Sequence, residues 1–184
     1  MMAYQNIIDK IVIDSKDALN KGIVASYIPE LATINLNKFG IHILDAKNNS
    51  YSSGDALEGF SIQSISKVLT LALSFGLIGD DLWKRVDVEP SGDPFNHLSL
   101  LELENGIPRN PFINAGAIVI ADILVSHLKN PKEDFLNFIR ELTNDSSIQY
   151  NKKVAVSEKN TGFKNYAAAN LLKSYRNLQN DVET

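Results

Sequence analysis

The 184-residue chain has no cysteine. That absence removes disulfides, thiolate metal sites and cysteine nucleophiles together, and it is compatible with a reducing compartment. Positive charge is not in excess either: 18 Lys and Arg stand against 22 Asp and Glu, a net charge of -4 with a pI near 5.4. No basic stripe runs along the sequence, whereas a nucleic-acid binder carries one, so no nucleic acid is expected as a partner. Long apolar runs are also missing. The longest, Ala115 to Val125, is interrupted by Asp122 and falls short of the roughly 20 residues that cross a bilayer. It reads as a buried helix, and no membrane partner is expected. The three histidines, His42, His97 and His127, lack ligand spacing and read as no metal site; no organic cofactor or metal is called for, since serine, lysine and backbone donors can supply the chemistry. The N-terminus, Met1-Met2-Ala3-Tyr4-Gln5-Asn6, lacks the basic start, apolar middle and small-residue cleavage site of a secretory leader, and a cytoplasmic location is expected.

What remains can form one substantial core, since 44% of the residues are hydrophobic. Ile8, Ile11, Val12, Ser15 and Leu19 recur at helical spacing and predict an amphipathic helix through the first twenty residues, ending near Lys21-Gly22. Tyr27 to Ala32 reads as an irregular link, because Pro29 biases Ile28 toward extended geometry. Phe39, Ile41 and Ile43 alternate with Gly40, His42 and Leu44, and the polar stretch Asp45 to Ser50 then leads to Tyr51–Gly54, which is a hairpin signal. From Ser64 the period becomes helical, with Gly76 or Gly79 as terminator. Breaks follow at Pro90–Pro94 and Gly106–Pro111, then a helix over Ala115–Leu128. Pro131 opens another helix with Phe135, Phe138, Ile139 and Leu142 on one side. Thr143 to Lys164 reads as a long polar run without structure of its own, and Asn165 to Leu178 as the last helix. The expected fold class is α+β, helices beside a few antiparallel strands, with Ser64 at the start of a central buried helix.

The chemistry is concentrated in Phe60-Ser61-Ile62-Gln63-Ser64-Ile65-Ser66-Lys67. A serine three residues before a lysine shares one helix face with it. A serine hydroxyl is a weak nucleophile, and an adjacent amine desolvated enough to lose its charge can take its proton as attack begins. The pattern suggests acyl transfer. An isolated Ser-x-x-Lys arises often by chance, so the argument needs more residues than these.

Four further stretches supply them. Asn110-Pro111-Phe112-Ile113-Asn114-Ala115-Gly116-Ala117 follows by about fifty residues, Ser157-Glu158 precedes Asn165, and Tyr27-Ile28-Pro29-Glu30-Leu31-Ala32 and Glu89-Pro90-Ser91-Gly92 complete the set. Together these resemble the serine-dependent glutaminase family, relatives of the β-lactamase and penicillin-binding-protein fold. The resemblance runs from about Gly22 to Asp181 and implies a β-lactamase/transpeptidase-like architecture.

It also implies hydrolysis of L-glutamine to L-glutamate and ammonia. Ser64 would attack the side-chain amide, and Lys67 would act as general base and return the proton to the leaving ammonia. Tyr27 would help the proton traffic or line the pocket, and Asn114, Glu158 and Asn165 would hold the amino-acid end of the substrate. The residue types suit those roles: Glu158 can pair with the α-ammonium, and Asn114 and Asn165 can bond the carboxylate or position backbone. Relatives of this kind continue beyond the length of this chain, so residues 1–184 are expected to form a single, incomplete glutaminase domain, poorly active or inactive alone. No Lys-Thr-Gly-like strand motif of the β-lactamase relatives is present. A homodimer or homotetramer is implied. Two alternatives stay open: a penicillin-recognising serine hydrolase, and a non-catalytic assembly fragment.

Overall fold

The computed structural model describes residues 4–19 and 21–183. The first three residues and Asn20 of the expected N-terminal helix, and the terminal Thr184, lie outside the described residues. The chain divides into two compact units: residues 1–61 with 152–161, and residues 62–151 with 162–184.

In the first unit, α1 (Tyr4–Asp14) is shorter than the periodicity predicts, because the chain tightens into a 3-10 turn over Ser15–Ala18. It packs on an antiparallel hairpin, β1 (Gly40–Leu44) and β2 (Ser50–Gly54), in register with His42 opposite Ser52. The predicted alternation holds: Ile41 and Ile43 turn inward and His42 and Leu44 outward. Asp45 closes the turn by accepting from the amides of Lys47 (2.8 Å) and Asn49 (2.9 Å), a side-chain replacement for backbone pairing that aspartate performs well. Asp9 on α1 accepts from Ser53 Oγ at 2.7 Å and so staples helix to hairpin. The expected irregular link around Pro29 is instead a 3-10 helix over Pro29–Thr33; proline's fixed φ suits the first position of such a turn. A helix within 152–161 packs on it, with Ser157 Oγ accepting from the Glu30 amide at 3.4 Å.

The second unit is helical: α2 (Ser66–Ile78), α3 (Ser99–Leu103), α4 (Asn114–His127), α5 (Pro131–Thr143) and, after α6 (Lys152–Thr161) of the first unit, α7 (Phe163–Ser174). The core gathers around α4, whose Val119, Ile120 and Ile123 are fully buried with Leu82, Val86 and Leu172. The central buried helix is therefore α4. α2 leans on it through Ser74, which donates to the Ile120 carbonyl at 3.4 Å, and leaves Val68, Phe75 and Leu77 exposed. Gly79, at φ +55, ends α2 as one of the two predicted terminators. On α5, Ile139 is buried but Leu142 is exposed, so the predicted apolar side is narrower than expected.

The polar run from Thr143 to Lys164 is not structureless, since α6 lies inside it. No residue of α6 is buried, so it has no apolar period to read; Lys, Ala and Glu supply helix propensity without one. α7 stops at Ser174 instead of running to Leu178, because Arg176 turns left-handed at φ +62. The chain then crosses α4. There the buried Asp122 carboxylate accepts from Arg85 Nη2 (2.6 Å), the Asn180 amide (2.8 Å), Asn180 Nδ2 (2.9 Å) and the Gln179 amide (3.0 Å). Burial pushes this carboxyl's pKa up, but the Asn180, Arg85 and Gln179 hydrogen bonds outweigh it and hold the group below its ordinary range. Among the described residues no helix is long and apolar enough to cross a membrane.

Candidate active site

Ser64 does not open the α-helix itself. It lies in a 3-10 turn over Gln63–Ile65, and α2 begins two residues later. The turn is fixed from both sides: Gln63 takes a left-handed φ of +46, and Ser66 Oγ donates to the Gln63 carbonyl at 2.7 Å. Left-handed backbone is uncommon outside glycine and is a local cost that surrounding structure must hold. Ser64 is exposed.

Lys67, half-buried in the first turn of α2, anchors a chain of polar contacts. Its Nζ donates to Asn114 Oδ1 at 2.8 Å and to the Phe112 carbonyl at 3.0 Å, and it sits 5.8 Å from the centre of the Phe95 ring, within cation–π range. Asn114 Nδ2 in turn donates to Asn165 Oδ1 at 3.0 Å. Three of the residues singled out by sequence, Lys67, Asn114 and Asn165, thus come from α2, α4 and α7 into one hydrogen-bonded line.

Asn114 differs from a simple helix cap. It is the first residue of α4, after Ile113, and no side chain caps that helix; its amide oxygen is engaged by Lys67 instead. Its backbone N–H donates to the Phe95 carbonyl at 2.8 Å, which ties the 90s loop to the same point. Two contributors escaped the sequence reading. The Phe112 carbonyl is a backbone group with no residue signature, and Phe95 lies in a loop without periodicity.

Tyr27 and Glu158 lie in the first unit. Tyr27 is 71% exposed, just ahead of the Pro29–Thr33 turn, and Glu158 is exposed on α6. Among the described residues no cluster of His, Cys, Asp or Glu could hold a metal ion.

A serine at a helical run-in, followed one turn later by a lysine held between two oxygens, is an arrangement suited to acyl transfer. A family model described as Glutaminase matches residues 22–184. The chain belongs to the glutaminase family. A glutaminase of Christiangramia forsetii is 55% identical over 182 residues, covering 99% of this chain and 60% of that protein. A glutaminase of Saccharophagus degradans is 53% identical, covering 98% of this chain and 59% of that one. The fold agrees with solved glutaminases. A probable glutaminase, ybaS, superposes with a TM-score of 0.85 at 32% identity over 97% of this chain and 59% of that one. A probable glutaminase from Bacillus subtilis, complexed with 6-diazo-5-oxo-L-norleucine, gives 0.82 at 28% identity over 100% of this chain and 55% of that one. The helix-dominated α+β architecture with its two-stranded antiparallel sheet is thus that of glutaminase structures. The chain spans about 60% of the length of the curated glutaminases it matches.

Proposed function

We propose that this glutaminase-family protein hydrolyses L-glutamine to L-glutamate and ammonia through an ester on Ser64. The observation that carries the proposal is the fixed line from Lys67 through Asn114 to Asn165, beginning one turn after the exposed serine. In the first half-reaction Lys67, as the free amine, takes the Ser64 proton while Oγ bonds to the glutamine Cδ. The tetrahedral intermediate collapses by breaking the C–N bond, and the proton on Lys67 passes to the departing nitrogen, which leaves as ammonia. In the second, water adds to the ester, its proton goes to Lys67, and the C–O bond to Ser64 breaks with return of that proton to Oγ.

The Ser64 backbone N–H, near the head of the helical segment, suits the developing oxyanion; one such donor is worth about 3 kcal/mol of barrier. Asn114 and Asn165 bind the α-carboxylate end, Glu158 pairs with the α-ammonium, and Tyr27 assists the proton traffic or lines the pocket. Both units belong to one glutaminase domain in this reading, which acts in the cytoplasm as a homodimer or homotetramer.

The test uses 6-diazo-5-oxo-L-norleucine on this chain and on a chain extended to the length of its relatives, followed by proteolysis and mass mapping. The adduct is expected on Ser64, absent in Ser64→Ala and formed about 100-fold more slowly in Lys67→Met, the typical worth of a general base. An adduct elsewhere, or an unimpaired Lys67→Met, refutes the assignment. Ammonia release from glutamine is expected to be strong only in the extended chain, and full turnover by the 184-residue chain would overturn that part.

A further inference from the structure

We infer that Asn110 is a positioning residue of this site, aiming the Phe112 carbonyl at Lys67; the inference rests on the reading of Lys67 as the base. Lysine's flexible stem gives its terminal nitrogen no preferred seat of its own. Here two oxygens supply one, Asn114 Oδ1 and the Phe112 carbonyl. The first rides on a rigid helix and is oriented by Asn165. The second belongs to the loop before α4, so something must hold that loop.

Asn110 does so from both ends of its side chain. Its Oδ1 accepts from the amides of Phe112 (3.0 Å) and Ile113 (3.1 Å), while its Nδ2 donates to the Glu89 carbonyl at 2.8 Å. The Ile113 N–H and the Phe112 C=O are the two faces of one trans peptide and point in opposite directions. Turning that N–H onto Asn110 therefore turns the carbonyl away from Asn110, the side on which it meets Lys67. The backbone of Asn110 is itself immobilised. Its carbonyl lies so close to Gly116 that a Cβ there would sit 2.0 Å from the oxygen, and the neighbouring Arg109 carbonyl accepts from the Glu89 amide at 2.7 Å. An asparagine supplies acceptor and donor in one planar group, which neither serine nor aspartate does.

The experiment compares wild type, Asn110→Ala and Asn110→Asp by trace acetylation with acetic anhydride and peptide mapping, reading Lys67 against the exposed Lys84 in the same unit. Asn110→Ala is expected to raise the Lys67/Lys84 ratio severalfold, because Nζ keeps Asn114 Oδ1 but loses the aimed Phe112 carbonyl. Asn110→Asp keeps an acceptor oxygen for both amides but loses the donor to the Glu89 carbonyl, and is expected to raise the ratio less than Asn110→Ala does. Inactivation by 6-diazo-5-oxo-L-norleucine adds a second readout. In Asn110→Ala the maximal rate should fall about tenfold or more while half-saturation shifts by less than about twofold, since misplacement of a reacting group costs rate before binding. Thermal melts run alongside; if Asn110→Ala does not fold, Asn110→Ser, which lacks the planar amide that bonds both backbone amides and the Glu89 carbonyl, takes its place with the same expected rise in the ratio. An unchanged ratio in Asn110→Ala, or an equal rise in Asn110→Asp, overturns the inference. Failure of the wild-type chain and its extended form to react at Ser64 sinks the reading of the site instead, and the acetylation ratio still tests the hold of Asn110 on Lys67.

Discussion

Removal of the Asp122 carboxylate should loosen Gln179 and Asn180 from α4 and lower the stability of the second unit steeply. Asp122 is 5% exposed and accepts from Arg85, from two backbone amides and from Asn180 Nδ2. In Asp122→Ala, Arg85 keeps its contacts to Asn177, at 2.8 Å to the carbonyl and 3.2 Å to Oδ1, but its charge loses its counter-ion. Breaking a buried pair by deleting one partner costs about 3–5 kcal/mol. For a unit of this size that corresponds to a melting temperature lower by more than about 10 °C. Asp122→Asn retains one acceptor oxygen and should lose about 2 kcal/mol. The single tryptophan, Trp83, lies in this unit beside Phe75 at 6.0 Å, so its fluorescence follows the relevant transition in urea or on heating.

The pH dependence has a definite sign. The carboxyl's pKa is lower in the folded protein, because the hydrogen bonds from Asn180, Arg85 and Gln179 outweigh the upward push of burial. Its contribution is therefore complete above the unfolded value of about 3.9 and disappears as pH falls through the lower folded value. The gap between wild type and Asp122→Ala should be widest near neutrality and narrow below about pH 4. A gap under about 1 kcal/mol at pH 7, where the buried-pair argument requires several times more, would refute the reasoning. So would a gap that does not change on acidification.

Gly116→Ala should cost about 1–3 kcal/mol in urea unfolding, because the atom opposing the new Cβ is the Asn110 backbone oxygen and cannot swing aside. Asn114→Ala should slow diazoketone labelling of Ser64 by about tenfold or more, since Lys67 and Asn165 both lose their shared partner; labelling at the wild-type rate would dissociate the polar line from the chemistry. Glu158→Gln in the extended chain should raise KM for glutamine about tenfold with kcat changed by less than about threefold, the pattern of lost ground-state binding to the substrate ammonium. Steady-state ammonia release reads both constants.

Elements with a strong period or strong turn chemistry were legible before any coordinates. The hairpin follows from the alternation about Ile41 and Ile43 and from Asp45, and α4 from its apolar run. Failures cluster where tertiary context decides. α6 carries no buried residue and so no pattern. The end of α7 depends on a left-handed Arg176 and on the bonds of the following residues to Asp122, a partner more than fifty positions away. Within the site, the side-chain members were legible as residue types, and Lys67, Asn114 and Asn165 do meet. The Phe112 carbonyl was not, because a backbone oxygen has no letter in the sequence; only the Asn110-Pro111-Phe112-Ile113-Asn114 spacing, with an acceptor side chain two residues ahead of the peptide it turns, marks it.

Gln63 constrains which sequences can stand immediately before the serine. A left-handed residue costs about 1–2 kcal/mol for ordinary side chains, and a β-branched one suffers most. The backbone at position 63 suits glycine and asparagine, whereas valine, isoleucine or threonine would drive the main chain back toward right-handed geometry and swing the hydroxyl carried by the next residue. Drift at this position is thereby filtered by shape, and the aim of Ser64 is inherited from its neighbour's main chain.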